Sequence, residues 1–157
     1  MKATLSRDEL SNALQLVGRA VSARSTLPSL GGVQVTAEGS TLTLRATDME
    51  LGLTRALEGV TIGVEGTVLL PGRLFVDVVR SLPEGEVNIE LRGEQRDVEV
   101  TAGGARFHLR TLVAEDFPRL PEAPEESVTL PAAPLAEKSS WSRARRRGTR
   151  CARSSPG

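Results

Sequence analysis

Two amphipathic segments of this chain superimpose at an offset of 65 residues. Leu5 falls on Leu70, Leu10 on Phe75, Ala13 on Val78, Leu14 on Val79 and Val17 on Leu82. Each segment is preceded by a short strand pattern and followed by several more, so the order strand, helix, strands occurs twice. Two unrelated helices would share the periodicity but not the order of elements around it. The repeat therefore predicts an α+β fold of two pseudo-symmetric strand-helix-strands halves. The two helices should lie on one face of antiparallel sheet, because each has a single apolar stripe to bury.

Local signals place the elements. Ser6 and Glu9 have the S-x-x-E spacing of a capping box, and Leu10, Ala13, Leu14, Val17 and Val21 follow at helical spacing, predicting a helix from about Arg7 to Ala20. Pro71 suits the start of a second helix, from about Gly72 to Leu82. "GVQVTAEGSTLTLRATDMELGLTRAL" alternates apolar and polar residues about "AEGS", a hairpin signal. "EVNIELRG", "RDVEVTAG" and "ARFHLRTLV" read as three further strands with Gly-containing turns between them. Asp48 and Glu50, two apart in "TDMEL", should share one polar strand face; no partner groups accompany them for acid–base chemistry.

Composition narrows the function. The chain has no apolar run long enough to span a bilayer, and "MKATLSRDEL" lacks the apolar core of a secretory leader. Cys151 is the only cysteine, which excludes a disulfide framework and a Cys-based zinc site and favours an intracellular, cytoplasmic setting. One histidine, no metal-ligand cluster, no Gly-rich phosphate loop and no nucleophile motif argue against an enzyme, a metal or a cofactor. The formal net charge of zero conceals a division. Residues 138–157 hold one Lys, six Arg and no acid, so residues 1–137 keep 13 of the 20 bases and all 20 acids, a net of −7.

"STLPSLGG", "TDMEL", "LPGRLF", "RSLPEG", "RFHLRTL" and "EDFPRLP", in this order, resemble the N-terminal domain of the bacterial DNA polymerase III beta subunit, the sliding-clamp family. The resemblance covers residues 1 to about 137. It implies a DNA-clamp domain at 1–122, a Pro-rich linker with the first strand and helix start of a second domain at 123–137, and a basic tail at 138–157. Members of that family carry three such domains, and two chains close a ring around duplex DNA, without base readout. DNA polymerase III subunits and a clamp loader are the family's other partners, and its peptide pocket lies in later domains. The resemblance implies a non-catalytic processivity factor, here a truncated copy unable to close a ring or to form the family's homodimer. By family position, Arg24 after the first helix, Arg73 and Arg80 on the second, and Arg7 on the first are the DNA-facing candidates. Phe107 matches the ring-closing interface. His108 receives no role.

The tail "KSSWSRARRRGTRCARSSPG" supplies neither the helix nor the strand the resemblance requires next. Back-translated with G/C-rich codons and read one base out of frame, residues 138–157 are compatible with "VVLVARAASRDEVRPVLTG", an amphipathic helix entering a strand. A frameshift is one origin for the tail. The other is a genuine basic arm, which would make the chain a stand-alone small protein binding nucleic acid through its arginines.

Overall fold

The elements run β1 (Lys2–Ser6), α1 (Arg7–Val17), β2 (Gly32–Glu38), β3 (Thr41–Thr47), β4 (Gly52–Leu57), β5 (Thr61–Val64), β6 (Gly66–Pro71), α2 (Gly72–Ser81), β7 (Glu86–Arg92), β8 (Asp97–Ala102) and β9 (Ala105–Arg110). Short 3-10 turns occupy Gly18–Ala20, Pro28–Gly31 and Ala114–Asp116. The computed structural model describes residues 1–22, 27–93 and 97–118, all within one unit, Met1–Leu120. The second-domain segment and the basic tail lie outside the described residues.

The strands form two antiparallel sheets, in the orders β5-β1-β7-β8-β9 and β4-β3-β2-β6. Each half donates the strand before its helix to the other half's sheet: β1 pairs with β7, and β6 with β2. The registers agree. Leu5 faces Val87 and Ala3 faces Ile89, just as Leu70 faces Val33 and Val68 faces Val35. Even the outer neighbour repeats: Thr4 pairs with Thr61 of β5, and Leu69, 65 residues on, bridges to Leu112. The pseudo-two-fold predicted from the sequence is thus present at the level of individual pairs.

The helices lie side by side and antiparallel. They bury Leu10, Leu14, Val17, Phe75, Val78 and Val79 in one core with Val33, Val35, Leu42, Leu44, Ile89, Val98 and Val100 from both sheets. Full burial of a side chain such as Phe75 contributes on the order of 2–3 kcal/mol. The β2–β3 and β8–β9 hairpins close through two-residue turns, in which Gly39 (φ 57°) and Gly103 (φ 55°) take the left-handed conformation such turns require.

Three local expectations are corrected. The Ser6 side chain makes no capping hydrogen bond. β1 runs straight into α1, and the Arg7 backbone N–H donates instead to the Gly85 carbonyl (2.9 Å), so the other half of the fold caps this helix. The α-helix itself stops at Val17, with Gly18–Ala20 tightening into a 3-10 turn. Asp48 and Glu50 do not share a strand face. Asp48 Oδ1 accepts hydrogen bonds from the backbone N–H groups of Glu50 (3.0 Å) and Leu51 (2.7 Å), which turns the chain between β3 and β4. A short carboxylate competing for backbone donors overrides the alternating pattern.

Candidate nucleic-acid interface

The groove between α1 and α2, about 330 Å³, is lined by Gln15, Gly18 and Arg19 on one side and by Gly72, Arg73, Asp77 and Arg80 on the other. Arg73 and Arg80 are seven residues apart, so two helical turns place them on one face about 10 Å apart along the axis. Both are exposed, as is Arg19 in the 3-10 turn that ends the first helix. Three arginines against Asp77 make this groove cationic on a segment that is otherwise net acidic. Their planar heads suit phosphate oxygens.

Two glycines meet at the groove, one from the end of each helix. Gly18 and Gly72 line it, and Val21 lies over Gly72. At the opposite end of the pair, Arg7 closes the gap: its Nη2 donates to the Arg80 carbonyl (3.1 Å) and its Nη1 to Asp8 Oδ1 (2.9 Å). Only 23% of the Arg7 side chain is exposed.

The sequence-derived candidates therefore separate. Arg73 and Arg80 come together in the groove. Arg7 belongs to the same helix pair, with its head group engaged by protein. Arg24 lies outside the described residues, in the segment between α1 and β2. Arg19 was not among the candidates: it falls within the expected Arg7–Ala20 helix, and nothing in its spacing sets it apart from other surface arginines.

Phe107 lies on β9 opposite Val100, half-buried against the core. β9 is the last strand of its sheet and has no strand partner on its outer side among the described residues. Its neighbour His108, given no role from sequence, faces two acids of β8: Nδ1 lies 3.3 Å from Asp97 Oδ2, and Nε2 3.5 Å from Glu99 Oε2. Glu99 also accepts from Arg92 (2.6 Å) and lies 3.7 Å from Arg106. No group of three or more metal-ligating side chains is assembled among the described residues. No helix among them is long and apolar enough to cross a membrane.

Two swapped antiparallel sheets carrying a pair of helices, with a cationic groove between those helices, define a DNA-clamp domain. The family model described as DNA polymerase III beta subunit, N-terminal domain, matches residues 1–121, and the chain belongs to that family. It is 38% identical over 136 residues to the beta sliding clamp of Micrococcus luteus, covering 87% of this chain and 43% of the relative. Against the beta sliding clamp of Escherichia coli it is 38% identical over 137 residues, covering 86% and 37%. Among solved structures, the DNA polymerase sliding clamp of Bacillus subtilis superimposes with a TM-score of 0.76 at 31% identity, over 81% of this chain and 35% of that one. The DNA polymerase III subunit beta of Pseudomonas aeruginosa does so with a TM-score of 0.74 at 34% identity, over 81% and 34%. The chain thus spans roughly a third to two fifths of the length of these relatives.

Proposed function

We propose that this chain is the first domain of a replication processivity factor, and that its helix pair is the surface turned toward duplex DNA. The observation that carries this reading is the gathering of Arg19, Arg73 and Arg80 in one groove of a domain that is otherwise net acidic. Contact is with phosphates, without base readout, so binding is weak for one domain and salt-dependent. Arg24 adds a further cation from the α1–β2 segment, and Arg7 belongs to the same face. Phe107 on the edge strand β9 is the point at which a second subunit's domain docks in a closed ring. DNA polymerase III subunits and a clamp loader are partners of the complete ring, and duplex DNA threads it. The described domain supplies one part of such a ring. It catalyses nothing itself and acts in the cytoplasm.

The test is a residue-resolved NMR titration of the chain with a short DNA duplex at about 10 mM salt, where charges are screened over about 30 Å. Shifts concentrated at Gln15, Arg19, Arg73 and Arg80 are expected. Shifts confined to the outer faces of the sheets, or none at all in the described residues, overturn the proposal.

A further inference from the structure

We infer that Arg7 is a positioning residue: it fastens the start of α1 to the end of α2 and thereby sets where Arg80 stands on the DNA-facing groove. This rests on the reading of that groove as the DNA-facing surface. The last carbonyls of a helix have no partner within it, and Arg80 carries one of them. The Arg7 Nη2 satisfies it from a residue 73 positions away, and its positive charge sits at the negative end of the α2 dipole. Nη1 is held by Asp8. Nε is buried without a hydrogen-bond partner, and both Nη bonds lie at the surface, so the guanidinium is held flat against the protein with 23% of the side chain exposed.

The pseudo-two-fold shows that this staple is particular to one end of the pair. Sixty-five residues separate Arg7 from Gly72, and Gln15 from Arg80. The symmetry-related end therefore has glycine where the guanidinium would be. There the helices are held by Val21 over Gly72, and the groove opens. The polar staple closes one end and leaves the other accessible, so the last turn of α2, with Arg80, is anchored through Arg7 alone among the described side-chain hydrogen bonds between the helices.

The test compares four full-length chains: unaltered, Arg7→Lys, Arg80→Ala and the double variant. Lysine keeps the charge at position 7 but not the planar fork that spans Asp8 and the Arg80 carbonyl together. Hydrogen exchange is read at the Ser81 and Leu82 amides, and duplex affinity from α2 signals at about 10 mM salt. Arg7→Lys is expected to speed exchange at the end of α2 about fivefold and to weaken the titration about threefold. With Arg80→Ala present it should weaken it no further, because a residue acting through another loses its effect when that other is gone. Unchanged exchange in Arg7→Lys overturns the inference. So does a loss of affinity that persists undiminished in the Arg80→Ala background, which would make Arg7 an independent phosphate contact. If Arg80→Ala leaves the titration unaltered while Arg7→Lys still speeds exchange, the staple stands and the assignment of the groove to DNA falls.

Discussion

Val21 packs directly onto Gly72. A β-carbon at position 72 would lie 2.7 Å from Val21 Cγ2 and 3.2 Å from Val33 Cγ2. Gly72 is the first residue of α2, so helix propensity alone would favour alanine by up to about 1 kcal/mol. The close approach reverses that sign: the apolar lock at the open end of the helix pair has no slack. Gly72→Ala is expected to destabilise the fold by about 1–3 kcal/mol, as overpacking does. Chemical denaturation measures it, and a stabilised Gly72→Ala chain would show that Val21 moves aside at no cost.

Met49 is the one described non-glycine residue with positive φ, at 78°. Its N–H donates to Thr47 Oγ1, and the residue is 68% exposed. The left-handed conformation costs an ordinary residue about 1 kcal/mol or more, and here no packing is at stake. Met49→Asn is therefore expected to raise stability by about 0.5–1 kcal/mol, because asparagine tolerates this region. A lower midpoint in urea would mean that the thioether contributes to stability despite its exposure.

The limits of sequence reasoning show in the turn at Met49. Alternation in "TDMELGL" looks like uninterrupted strand, since apolar and polar residues keep period two through it. Only the competition of Asp48 for backbone donors breaks it. The helices, by contrast, were legible because apolar residues recur at helical spacing and Pro71 marks the start of the second, although the tightening of Gly18–Ala20 into a 3-10 turn was not. The site was half legible. Arg73 and Arg80 were candidates by family position, and their seven-residue spacing puts them on one face of the helix. Arg19 gains meaning only when the end of α1 is seen beside the start of α2. The contact from Arg7 to the Arg80 carbonyl joins residues 73 apart by a bond to backbone, and no pattern of side-chain types encodes that.

Glu99 is the hub of the outer face of the five-stranded sheet, with Arg92, Arg106 and His108 around it. Its side chain is only 11% exposed. Glu99→Ala leaves Arg92 and Arg106 without this carboxylate, while His108 keeps Asp97 beside it. The expected cost is about 1–2 kcal/mol, larger than that of Arg92→Ala, which leaves Glu99 two other partners. Paired urea titrations of the two variants check the order. Equal costs would reduce the cluster to one ion pair.

Binding of duplex DNA by residues 1–137 should be too weak to detect by gel shift at physiological salt. Each phosphate contact contributes about 0.9 to the slope of log K against log salt. The few arginines of one helix pair therefore cannot offset the net −7 of the segment. The full chain, which adds seven basic residues at 138–157, should bind more tightly, with the added affinity lost steeply as salt rises. A tight complex with residues 1–137 alone would contradict the single-domain reading of the groove.

The origin of residues 138–157 is decided in the gene rather than in the protein. In every codon shifted by one base, two of the three bases come from the first two positions of the next residue's codon, which the protein sequence fixes except where Ser and Arg have six codons. Over residues 138–157 that constraint still permits "ARAASRDEVRPVLTG", a helix pattern entering a strand. The expected result is that the nucleotide sequence, read one base out of frame from codon 138, encodes this string and continues into open reading frame with the alternating patterns of further clamp domains. A stop codon soon after position 138 in that frame, or an unrelated string, would end this reading. The seven basic residues would then be selected features of the chain. The full chain's salt-sensitive binding would become its principal activity, with the helix groove secondary to an arginine-rich arm.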